Sequence, residues 1–115
     1  MRVIMAAMCL VLAAPAHGQA KRCDIAQKQI CERGAARRAV PAKAWSKIDL
    51  KAARYSRCDR LGCDDYPAVV RSAGVWTTLS LPDHGMLARV GRQAEFVEIV
   101  TLGDSVYLSY GKCRR

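Results

Sequence analysis

Apolar and polar residues alternate with a period of two along much of the stretch from Tyr66 to Tyr110, and this pattern constrains the chain more than any other feature. A period of two marks a strand with one buried face and excludes an amphipathic helix over the same residues. In VWTTLSL, Val75, Thr77, Leu79 and Leu81 share one face, and Trp76, Thr78 and Ser80 share the other. In EFVEIVT, Val97 and Ile99 lie with Glu95, while Phe96 and Val100 lie with Glu98. In VYLSYG, Val106, Leu108 and Tyr110 alternate with Tyr107 and Ser109, so Tyr107 and Tyr110 cannot both point inward. Turn clusters separate the runs at Pro82-Asp-His-Gly85, Gly91-Arg-Gln93 and Leu102-Gly-Asp104. Strand centres then fall near residues 78, 88, 98 and 108, a spacing that suits consecutive hairpins. Earlier strands are expected at Ser46 to Leu50 and Tyr66 to Arg71.

Ahead of these runs, Asp24 is placed to cap a short helix over residues 24–33. Gln27 takes the reciprocal capping position and Gly34 the stop. The basic, small-residue stretch from Ala35 to Ala44, with Pro41, reads as a linker. The expected fold is mainly β: a small antiparallel β-meander barrel or curled sheet of five to six strands with a short N-terminal helix. Residues 21–44 supply the basic helix and linker, and residues 45–115 the β domain. Glu95 and Arg89 interrupt the alternation, which predicts a sheet partly wet on one face.

Residues 1–20 have the pattern of a secretory signal peptide. Arg2 is the positive start, Val3 to Ala14 the apolar run, and PAHGQA the small-residue end, with cleavage expected after Ala20 or, second, at Ala14-Pro-Ala16. Twelve apolar residues span about 18 Å as a helix, short of a hydrocarbon core of about 30 Å. The expected destination is the periplasm or the medium, with no transmembrane span in the mature chain.

Five cysteines follow the leader: Cys23, Cys31, Cys58, Cys63 and Cys113. In an oxidising compartment they are expected to form disulfides. Two bridges and one free thiol can be arranged in about 15 ways. A helix over 24–33 would separate Cys23 and Cys31 by about 12 Å, too far to join. Cys113 closes the last strand, and its expected partner is Cys58 or Cys63. A zinc site at Cys58-x4-Cys63 lacks a second ligand pair.

The charge is unevenly divided. Of 19 basic and 10 acidic side chains, residues 21–57 hold eleven basic and three acidic ones, while residues 58–115 hold seven of each. Such asymmetry concerns partners and solubility rather than fold. The expected partner of the basic segment is an anionic envelope component or an acidic protein, contacted through Arg33, Arg37, Arg38 and Lys43. No nucleic-acid-binding motif is present.

Catalytic patterns are missing. His84 is the only histidine after the leader, and no G-x-S-x-G, H-E-x-x-H or phosphate loop occurs. Asp59, Asp64 and Asp65 crowd the CDRLGCDDY loop without the spacing of a calcium loop. Glu95 and Glu98 point to opposite faces of a strand and cannot act as an acid/base pair. Neither an enzyme activity nor a cofactor or metal is expected.

The run YSRCDRLGCDDYPAVV, followed by SAGVW, GMLARV, EFVEIVTLG and VYLSYGKC, resembles a family of small exported alphaproteobacterial proteins of unknown function. That resemblance covers roughly Trp45 to Cys113 and implies an exported, disulfide-containing domain. The chain is also similar, more weakly, to periplasmic inhibitors of C-type lysozyme. Those are small stapled β-barrels with a cysteine near the C-terminus and a Ser-Gly-x-x-Tyr type loop. Here Ser72-Ala-Gly74 and Ser109-Tyr-Gly111 depart from that loop. The expected function is therefore a non-enzymatic exported interaction protein of the cell envelope. The alternative is a periplasmic inhibitor of a hydrolase such as lysozyme, acting through an exposed barrel loop, with residues 82–85 as the candidate.

Overall fold

The computed structural model describes residues 20–114; apart from Ala20, the expected signal peptide lies outside them. The strands are β1 (Lys21–Glu32), β2 (Arg38–Ala39), β3 (Trp45–Asp49), β4 (Arg54–Asp59) and β5 (Gly62–Pro67), then β6 (Val69–Ala73), β7 (Trp76–Leu81), β8 (Met86–Gly91), β9 (Glu95–Leu102) and β10 (Ser105–Arg114). They form one antiparallel sheet in the order β5-β4-β3-β1-β10-β9-β8-β7-β6, with β2 paired to β1. The edge strands β5 and β6 are consecutive in the chain and separated by Ala68 alone. One bent segment therefore pairs with β4 in its first half and with β7 in its second, and the sheet is a nearly closed barrel. At the bend the Ala68 N–H donates to the Ala53 carbonyl at 2.8 Å.

The expected β7 to β10 meander is present, and its turns fall where the Gly, Pro and Asp clusters lie. Leu79, Leu81, Met86, Ala88, Val90, Phe96 and Val100 are buried, as one inner face of the meander requires. Arg89 does not interrupt the pattern: it points outward between Ala88 and Val90, over the Trp76 ring at 4.8 Å. The two tyrosines fall on opposite faces, as the alternation demands: Tyr110 is exposed and Tyr107 packs against the core.

Among the described residues the barrel has ten strands rather than five or six, and there is no N-terminal helix. The expected helix is the long strand β1, at the centre of the sheet between β3 and β10. Ten register pairs join it to β10 and four to β3, so both edges of its backbone are hydrogen-bonded. A helix of about ten residues is marginal in water, and capping signals at Asp24 and Gln27 cannot outweigh that pairing. The expected linker contributes β2, a strap that pairs with Gln29 and Ile30.

Both disulfides join residues directly opposite in register, Cys23 to Cys113 across β1 and β10 and Cys58 to Cys63 across β4 and β5. Among the described residues Cys31 is the free thiol. The expected bridge from Cys113 to Cys58 or Cys63 is therefore absent. It assumed that Cys23 sat outside the sheet, whereas β1 lies directly against β10.

Register slips between Ile25 and Gln27, a bulge at Ala26 that reverses which side chains of β1 point inward. Cys23 faces the core before it, and Lys28 and Ile30 follow it on the inner side, opposite Ser109 and Tyr107. Beside the bulge, a Cβ added to Gly111 would overlap the Asp24 carbonyl oxygen. Backbone rather than a flexible side chain blocks the space, so Gly111→Ala should cost about 2–3 kcal/mol in urea unfolding of the oxidised protein. A loss under about 0.5 kcal/mol would mean that β1 and β10 do not approach this closely.

Candidate functional site

The barrel's core is mostly apolar, and its buried polar side chains among the described residues are Ser46, Glu98 and Ser109. Glu98 follows Phe96 on the inner face of β9, with the small residues Ala88 and Ser109 opposite it in the register of β8 and β10. Those neighbours leave its side chain room to reach across to β3 and β4. There the Tyr55 hydroxyl donates to Glu98 Oε2, and Ser46 Oγ lies 2.8 Å from that hydroxyl and 3.4 Å from the same carboxylate oxygen. The Glu98 Oε1 atom accepts no hydrogen bond, and Arg57 Nη2 stands 3.6 Å away. Glu98, Ser46 and Tyr55 are each no more than 1% exposed, whereas the Arg57 side chain is 29% exposed.

Burial raises the Glu98 carboxyl above its ordinary range, opposed by the charge of Lys28 and the hydrogen bond with Ser46. Lys28 is shifted the other way: burial lowers it, the charge of Arg57 adds to that, and Glu98 partly restores it. The cluster thus contains two cations for one carboxylate. Its Arg57 and Lys28 line an open cavity of about 240 Å³ together with Val100, Leu102 and Tyr107. Lys28 Nζ stands 5.3 Å from the centre of the Tyr107 ring.

The residues expected to contact anions occupy the exterior. Arg33 and Arg37 lie in the β1–β2 connection, Arg38 on β2, and Lys43 in the segment leading to β3; all four are exposed. Glu32 is level with Ser105 and Ser105 with Leu102, so the β1–β2 connection rises at the same end of the barrel as the β9–β10 turn. Arg38 is paired with Glu32 at 2.9 Å. Among the described residues, Arg33, Arg37 and Lys43 form no salt bridge, and the chain carries no carboxylate from Arg33 to Ile48. Lys43 lines a separate cleft with Trp45, Asp59, Arg60 and Leu61.

The loop over residues 82–85 is exposed but tied down on both sides. Thr101 donates its backbone N–H and its hydroxyl to the Gly85 carbonyl at 2.9 and 3.1 Å, and the His84 ring packs 4.6 Å from that of Tyr66. The more prominent tip is Leu61, 88% exposed in the hairpin stapled by Cys58 and Cys63.

Sequence reasoning identified the exterior cations but missed the internal cluster. One signal was readable, because Glu98 shares the apolar face of Phe96 and Val100. Among the described residues no group of three or more His, Cys, Asp or Glu side chains is placed to hold a metal ion, and no helix is long and apolar enough to cross a membrane. Compared with family models, with curated proteins and with solved structures, the chain matches none.

Proposed function

We propose that this is a non-enzymatic extracytoplasmic binding protein that contacts an anionic envelope component through the cationic strap between β1 and β3. The observation that carries this reading is the strap from Arg33 to Lys43, whose exposed Arg33, Arg37 and Lys43 have no ion-pair partner among the described residues. Arg22 and Arg114, by contrast, are both paired with Asp24. Three exposed cations on a stretch free of carboxylates concentrate positive charge and favour an external anion. Two disulfides within one small barrel suit an oxidising compartment.

The test must spare the strands, because deleting residues 21–57 would remove β1 to β3 and most of β4. The triple variant Arg33→Ser/Arg37→Ser/Lys43→Ser keeps them. Each exposed cation near an anionic membrane is worth about 1 kcal/mol, so the triple change should weaken binding to phosphatidylglycerol-containing vesicles about a hundredfold. Binding of the unaltered protein should fall steeply as salt rises from about 0.05 to 0.3 M. Equal binding by both proteins in co-sedimentation would refute the role of the strap.

The second reading, an inhibitor acting through an exposed loop, is favoured by Leu61 at the tip of its stapled hairpin. On that reading Leu61→Asp abolishes inhibition while the triple variant retains it.

A further inference from the structure

We propose that the cavity between β1, β4, β9 and β10 is a binding site for a small organic monoanion with a short apolar chain, its carboxylate held by Lys28 and Arg57 and its chain by Val100, Leu102 and Tyr107. This site goes beyond the surface contact proposed above and uses different side chains.

Its size sets the class of ligand. A volume of about 240 Å³ lies just below the roughly 300–1,000 Å³ of pockets for drug-sized molecules, so it suits a short chain and not a whole lipid. The lining sets the chemistry. Two cations, two aliphatic side chains and an aromatic ring line it, and no carboxylate does. The one acid in reach, Glu98, lies in the buried cluster with Oε2 bound to Tyr55, so it opposes only part of the local positive charge. Lys28 has no carboxylate within ion-pair distance among the described residues. A partly buried ammonium and guanidinium with one shared counter-charge leave room for a second anion. The planar fork of an arginine fits a carboxylate with two parallel hydrogen bonds. The fold provides the access. On the side away from β10, β1 is paired at residues 21–24 with β3 and at 29–30 with β2, and the Lys28 carbonyl accepts from the Val40 N–H at 3.0 Å, so the gap in its wall falls at residues 25–27, next to Lys28.

Titration calorimetry of the oxidised protein with octanoate, 1-octanol and inorganic phosphate tests the proposal, with amide NMR shifts locating the ligand. Octanoate should bind one to one and shift Lys28, Arg57, Leu102 and Tyr107, with octanol and phosphate each at least about tenfold weaker, because each offers only one half of the ligand. Lys28→Met, which keeps the aliphatic stem, should weaken octanoate about tenfold or more. Leu102→Glu should do the same by placing a negative charge at an exposed rim position, 60% accessible, where folding is not at stake. The Arg33→Ser/Arg37→Ser/Lys43→Ser variant should bind octanoate unchanged, which separates this site from the strap. No saturable octanoate binding, equal affinity for octanol, tighter binding of phosphate, or an unaffected Lys28→Met variant would each overturn it.

Discussion

Replacing Cys23 and Cys113 together by alanine should lower stability by about 4–5 kcal/mol, whereas the same change at Cys58 and Cys63 should cost only about 2 kcal/mol. The difference comes from the unfolded chain. The first bridge closes a loop between residues 90 apart in sequence, the second a loop between residues five apart. The lost loop entropy grows with the logarithm of loop length. Both pairs already face one another in register, so neither bridge is needed to bring its strands together once the barrel has formed. For a barrel of this size a loss of 4–5 kcal/mol approaches the whole stability, and the Cys23/Cys113 variant should be largely unfolded at 37 °C. Urea unfolding of the two double variants checks the order. Equal losses would show that the contribution lies in the native strands instead. Alkylation under denaturing, non-reducing conditions should label Cys31 and leave the other four described cysteines unmodified.

The Glu98 cluster gives the second large effect. Glu98→Ala should destabilise the protein by about 3 kcal/mol or more, because Tyr55 and Ser46 would keep buried hydroxyls without their acceptor and Arg57 would lose its counter-charge. Glu98→Gln keeps an acceptor for both hydroxyls and should cost about 1 kcal/mol at pH 7. The two variants separate hydrogen bonding from charge. Similar losses in both would mean that the ion pair with Arg57 dominates.

The raised Glu98 carboxyl also fixes a pH slope. The unfolded chain releases this proton as pH passes the ordinary value of 4.5, while the folded protein still holds it. Its contribution to stability is therefore fully present below that pH. It declines as pH rises, until the folded carboxyl itself ionises. Glu98→Gln removes this slope, so its unfolding midpoint relative to the unaltered protein should improve as pH rises from 4.5 toward neutrality. A difference that stays constant with pH would place the Glu98 carboxyl in water.

Legibility followed the range of the interactions. Trp76 to Arg114 could be read because each hairpin is specified by its own alternation and its own turn residues, and neighbouring strands there are also neighbours in sequence. Residues 21–32 were misread because their strand state depends on β10, some eighty residues away, while their local signals point to a capped helix. Lys28 was hidden for a related reason. Counted from Cys23 by a strict period of two, it falls on the outer face, and only the bulge at Ala26 turns it inward. Glu98 was legible as a face assignment but not as a site, because Ser46, Tyr55 and Arg57 lie on strands that no local pattern places opposite it.

By itself the sequence determined a mainly β chain, the approximate positions of the strands from Trp76 onward, the placing of Tyr107 and Tyr110 on opposite faces, and the concentration of positive charge before residue 58. All of these rest on side-chain period, turn chemistry or a count of charges, and all are local. The tertiary structure alone decided the disulfide partners, the strand at residues 21–32, the closure through the bend at Ala68, and the meeting of Lys28, Arg57 and Glu98. Each of those depends on register between distant strands, where a shift of one residue exchanges the two faces of a sheet.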